Sequence, residues 1–122
     1  MSDSPRDLVV VVTKGIDHEL SSVAMTIARG AMSNGLKVSL FLTSSGVDLV
    51  RKRGMELTHV PPIDPIKDIL AEIIKRGGTV WACTPCVETR GYQQADLIDG
   101  VTIAGAAGMH KLIAEGGATL SF

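Results

Sequence analysis

The sequence predicts an α/β fold, a three-layer α/β/α sandwich around a five-stranded parallel sheet. Continuous apolar runs rich in β-branched residues recur along the chain without polar alternation, as strands buried on both faces require. Between them lie helix-length segments with apolar residues three and four apart, many ended by glycine. With 45% hydrophobic but only 3% aromatic residues, the core must be aliphatic. A chain of 122 residues suits one domain, taken as residues 1–122, and is long enough to bury a single core.

Each element has its own signal. Leu8-Val-Val-Val-Val-Thr13 predicts the first strand. Gly15 turns the chain, Asp17 is the expected N-cap, and the following helix is expected to put Ala24, Ile27, Ala28 and Ala31 inward and to stop at Asn34-Gly35. Lys37–Leu42 predicts the second strand. Thr43-Ser44-Ser45-Gly46 then offers a serine cap for a short helix through about Arg53. Gly54 to Pro65 is irregular, because Pro61, Pro62 and Pro65 break helices. Asp64-Pro65 is the expected cap and first turn of a helix to Arg76, with Ile66, Ile69, Leu70, Ile73 and Ile74 on one stripe and Gly77-Gly78 as its stop. Thr79–Ala82 predicts a third strand, Gln93–Ile98 a short helix, Val101–Ile103 a fourth strand and Gly105–Glu115 a helix. Ala118–Phe122 predicts a last strand that ties the end of the chain to the sheet.

Composition excludes several functions. Net charge is −1 and the densest basic run, Arg51-Lys52-Arg53, is short; with one Trp and one Tyr there is no basic-aromatic stripe for nucleic acid. No run approaches the ~18 apolar residues of a membrane span. The start, Met1-Ser-Asp-Ser-Pro-Arg-Asp7, is polar and acidic and unlike a signal peptide, so a cytoplasmic location with reduced thiols is expected. No cofactor fingerprint is present: neither Thr13-Lys14-Gly15 nor Ser44-Ser45-Gly46 is a phosphate loop.

Both cysteines fall in one short segment, expected to be a loop, Cys83-Thr84-Pro85-Cys86, after the third strand. Reactive groups in open parallel sheets gather beyond the C-terminal strand ends. Amides of the following turn are expected to favour thiolate at Cys83, with Arg90 adding a positive charge. Three chemistries compete. Zinc would need two more ligands, and His18, His59 and His110 have no ligand spacing, so no metal is expected. A redox dithiol fits the spacing. A persulfide carrier fits a thiolate open to exchange. The bland alternative is two small residues that only pack. Lys14 and Ser45 end the first two strands and are candidates to line the same edge as Cys83. Arg90 and Gly91 are candidates for substrate or partner binding. Trp81 and Tyr92 flank the site, and His18 or His110 are weaker candidates for a base. The Met25-Ile27-Ala31 face and Val60-Pro61-Pro62-Ile63 are candidate oligomer surfaces.

Four stretches together resemble the DsrE/DsrF/TusD family of small sulfur-relay proteins. They are the first strand with Thr13-Lys14-Gly15 and its helix to Asn34-Gly35; Val38–Thr43 running into Gly46-Val47-Asp48-Leu49; Ala82-Cys83-Thr84-Pro85-Cys86 followed by Arg90-Gly91; and Leu97–Val101 with Gly117–Leu120. The cysteine followed by Arg-Gly is the most specific of them. The resemblance implies the five-stranded sandwich and a homo-oligomer, trimer or hexamer. It also implies an acting cysteine at Cys83, loaded as a persulfide by a rhodanese-like or TusA-like donor and unloaded to an acceptor protein. Cys86 resembles the paired-cysteine branch, and its role, carrying, resolving or supporting, stays open.

Overall fold

The computed structural model describes residues 5–52, 61 and 64–122. Arg53, the expected end of the helix after the second strand, most of the irregular stretch from Gly54 to Pro65, and all but Pro61 of the Val60–Ile63 surface lie outside the described residues.

Five strands, β1 (Asp7–Val12), β2 (Lys37–Leu42), β3 (Thr79–Cys83), β4 (Val101–Ala104) and β5 (Ala118–Ser121), form one sheet in the order β4-β3-β2-β1-β5, parallel throughout. The helices are α1 (Glu19–Ser33), α2 (Ile66–Lys75), α3 (Thr84–Thr89) and α4 (Ala107–Ala114). The chain steps outward from β1 to β4, then returns past three strands to β5. Right-handed crossovers therefore put α1 to α3 on one face and α4 on the other.

Register explains the burial. Leu8, Val10 and Val12 align with Val38, Leu40 and Leu42, and Leu40 and Leu42 with Val80 and Ala82. All of them are buried beneath the paired helices α1 and α2. From α2, Ile66, Ile69, Leu70 and Ile73 complete the aliphatic core. The opposite face carries Val9, Val11, Phe41 and Trp81 and has less cover, because one eight-residue helix must serve it. There α4 approaches so closely that a methyl group on Gly108 would lie 2.9 Å from the Trp81 ring. Trp81 thus packs between sheet and helix.

Several local expectations are corrected. α1 is capped by His18, whose Nδ1 accepts the Leu20 amide at 3.1 Å, and not by Asp17. That bond occupies the ring nitrogen a catalytic base would need. Met25 is fully buried and Ile27 is 38% exposed, so α1 sits rotated from the expected inward face and Met25 belongs to no oligomer surface. Asp64 does not cap α2; its carboxylate pairs with Arg29 at 3.0 Å. The segment after β2 is a 3-10 helix, Ser44–Val50, with Thr43 at its cap position but no side-chain cap bond. It stops where Arg51 bridges to Leu97. A single 3-10 turn, Gln94–Asp96, replaces the expected Gln93–Ile98 helix. Phe122 is tied in: its amide donates to the Val11 carbonyl and its own carbonyl accepts from the Thr13 amide and hydroxyl.

Candidate functional site

The cysteine segment is a strand-to-helix junction, not a loop. Cys83 is the last residue of β3 and the N-cap residue of α3; Thr84 and Pro85 open the helix, where a proline lacking its N–H costs nothing. The two thiols consequently differ. Cys83 lies in register with Ala104 of β4 and is only 9% exposed. Cys86, half-buried in the first turn of α3, turns its sulfur toward the end of β2. Both are free thiols.

The donors to sulfur come from across the sheet rather than from the amides of the helix start. The Ser44 amide donates to Cys86 Sγ at 3.1 Å, and the Thr43 hydroxyl lies 3.5 Å from it. Ser44 is the one non-glycine among the described residues with positive φ, at 53°. As the first residue of the 3-10 helix, Ser44 has an amide with no partner inside the helix, and its left-handed backbone costs about 1 kcal/mol or more. Burial raises the Cys86 thiol pKa, but hydrogen bonds from Thr43, Ser44 and Cys83, with the Arg90 charge, outweigh it and hold the thiol below its ordinary value. Folding is linked to pH accordingly. Stabilisation from the thiolate contacts is present above the free-thiol pKa and lost as pH falls through the lowered one. Alkylation of Cys86 should follow pH with a midpoint below the ~8.5 of free cysteine. Arg90→Met should move that midpoint upward in a rate-against-pH titration with iodoacetamide.

Arg90 is itself held in place. Its Nη1 donates to the Cys86 carbonyl at 3.2 Å, and its Nε lies 3.6 Å from Asp48 Oδ1. The Tyr92 hydroxyl donates to the same Asp48 oxygen at 2.6 Å, and the Arg51 guanidinium covers the Tyr92 ring at 5.1 Å. Burial and the Asp48 carboxylate raise the Tyr92 pKa, so the phenol stays a donor. Tyr92→Phe should lower stability by about 1 kcal/mol, a charged hydrogen bond discounted for partial exposure, read as a shifted urea midpoint. Gly91 has φ 73°; with the Tyr92 amide bonded to the Val87 carbonyl at 2.9 Å it closes α3 in a left-handed turn that delivers Tyr92 to Asp48.

A methyl group on Gly15 would meet Ser45 at 3.2 Å and one on Gly46 would lie 3.7 Å from the Lys14 carbonyl, while the Ser44 amide and the Thr43 hydroxyl are what reach the Cys86 sulfur from the end of β2. The Lys14 carbonyl accepts from Ser21 instead. His110 is exposed on α4. No group of three or more potential metal ligands occurs among the described residues. The sequence reading missed the Ser44 amide and the bonding of Asp48. The signal it lacked was tertiary, for these residues stand about forty positions from Cys86.

A fully parallel α/β sheet with paired thiols where β3 meets its helix, one of them bonded to the end of β2, defines the class. The chain belongs to the DsrE/DsrF-like family, whose model matches residues 6–122. Among its relatives, uncharacterized protein MJ0989 of Methanocaldococcus jannaschii is 32% identical over 106 residues, 87% of each chain. Uncharacterized protein MK0008 of Methanopyrus kandleri is 33% identical over 105 residues, 86% of this chain and 81% of that one. The fold is shared with the YchN protein of E. coli, at TM-score 0.78 and 21% identity, covering 97% of this chain and 99% of that chain. It is shared also with MTH1491 of Methanobacterium thermoautotrophicum, at TM-score 0.76 and 18% identity, covering 98% and 100%.

Proposed function

We propose that the protein is a sulfur carrier that holds sulfane sulfur as a cysteine persulfide and passes it to a partner protein. Family membership supports a sulfur-relay role. The observation that carries the reading is the Cys86 sulfur, partly accessible, bonded by the Ser44 amide and Thr43 hydroxyl and facing the charge of Arg90. These contacts favour Cys86 as the entry thiolate, with Cys83 as its buried companion, an order opposite to the one expected from the sequence. A persulfide terminus is an anion at neutral pH, and the groups that favour the thiolate suit it too.

In the step proposed, the Cys86 thiolate attacks the outer sulfur of a donor persulfide. A Cys86–sulfur bond forms, the donor's S–S bond breaks, and the donor leaves as a thiolate. The acceptor repeats the exchange in the opposite sense. A rhodanese-like or TusA-like protein suits the donor role, and exposed Arg51, Lys52 and Arg90 suit an acidic loop on it. No cofactor is needed for the exchange.

The setting proposed is the cytoplasm, where thiols stay reduced; among the described residues no helix is long and apolar enough to cross a membrane. Nucleic acid is not a proposed partner. A homo-oligomer, trimer or hexamer, is supported by Ile113 on α4 and Leu120 on β5, each more than 40% exposed. The test is intact-mass measurement after incubating reduced protein with a persulfide donor and removing the excess. The expected result is a gain of one sulfur on Cys86; an unchanged mass would reject the carrier reading.

A further inference from the structure

Burial gives the two thiols unequal access. Cys83 is beyond easy reach of another protein, yet it stands three residues before Cys86 at the same strand-to-helix junction and is among the groups that hold the Cys86 thiol below its ordinary value. As N-cap residue and third helical residue of α3, they occupy the two positions whose side chains meet across a first helical turn. A disulfide spans Cα separations of ~4.4–6.8 Å, which one such turn accommodates. Nothing in a pure carrier requires this second thiol.

We propose that Cys83 is a resolving thiol, giving the site a second activity: release of the carried sulfur as sulfide with closure of a Cys83–Cys86 disulfide. The inference rests on Cys86 being the carrier. Cys83, on giving up its proton, attacks the inner sulfur of the Cys86 persulfide. The Cys83–Cys86 bond forms, the bond to the outer sulfur breaks, and that sulfur, already anionic in the persulfide, takes the Cys83 proton and leaves as HS⁻. The sulfane sulfur is reduced by two electrons and the two cysteines are oxidised by two, so one turnover needs no other reagent. A dithiol reductant then restores both thiols for the next. Transfer to an acceptor and release as sulfide compete for one persulfide, and the competition is decided by whether an acceptor thiol arrives before Cys83 attacks.

The experiment loads the reduced full chain with sodium tetrasulfide, desalts it, and follows intact mass and free sulfide with time. Wild type is expected to gain one sulfur, then lose it and finish two hydrogens lighter than the reduced chain, with about one sulfide freed per chain. Peptide mapping should join Cys83 to Cys86. Cys83→Ser should keep its extra sulfur at least ~10-fold longer. A wild type that loads and then retains both the added sulfur and a free Cys83 thiol overturns the resolving role while leaving Cys86 as carrier. So does a Cys83→Ser chain that frees sulfide as fast as wild type. A wild type that neither gains sulfur nor frees sulfide with closure of the disulfide overturns both readings, and the wild-type measurement decides even if the variant folds poorly.

Discussion

Cys86→Ser should abolish sulfur loading, leaving the intact mass unchanged after exposure to a persulfide donor, whereas Cys83→Ser should still load. The argument is one of access and charge. The Cys86 sulfur is held by the Ser44 amide at 3.1 Å and lies within the field of Arg90, so its anion is the one the fold stabilises. A serine hydroxyl accepts the same bonds but stays protonated and does not exchange with disulfides or persulfides. Its stability cost should be small, because the replacement is near-isosteric and keeps a hydrogen-bonding atom in place. Loss of loading with an unchanged unfolding midpoint would therefore report on chemistry. The reverse pattern, loading by Cys86→Ser and none by Cys83→Ser, would return the carrier role to Cys83.

Gly46→Ala should be the most damaging small substitution near the site. A methyl group there would overlap the Val12 carbonyl oxygen and lie 3.1 Å from its carbon, both backbone atoms of a fully buried residue. The Val12 carbonyl also accepts the Thr43 amide at 3.1 Å, and the Gly46 amide donates to the Thr43 carbonyl at 2.9 Å. Strand β1 cannot retreat, so the 3-10 helix must lift. Overpacking of this kind costs roughly 1–3 kcal/mol, occasionally more. The lift would also carry Ser44 away from sulfur. Two measurements should move together: the thermal midpoint falls by several degrees, and the alkylation midpoint of Cys86 rises toward the free-thiol value. A fall in stability with unchanged thiol acidity would mean that Ser44 does not depend on that packing.

The architecture was legible because its causes are local. Val9 to Val12 without a polar break is a strand wherever it sits in a parallel sheet, and the Ile66-Ile69-Leu70-Ile73 stripe is an amphipathic helix whatever it packs against. Errors arose where neighbours compete. Asp17 and His18 can each cap α1, and the geometry of the preceding turn decided for His18. Met25 and Ile27 are both apolar, and the helix rotation that buries one exposes the other. For the site, the sequence located the cysteines, Arg90 and Gly91. It put Cys83 first, because the contacts to the Cys86 sulfur come from Thr43 and Ser44, brought in by the pairing of β2 with β3. The tie between Asp48 and Tyr92 was hidden likewise, for a contact between distant positions leaves no periodic trace.

That Cys86 draws its amide donor from the far end of another strand has a practical corollary. A synthetic peptide covering only β3 and α3 should contain an ordinary, sluggish thiol, and so should the denatured chain. Labelling speed at mildly acidic pH thereby becomes a gauge of how many molecules in a preparation have β2 and β3 correctly zipped, readable without any knowledge of the physiological donor.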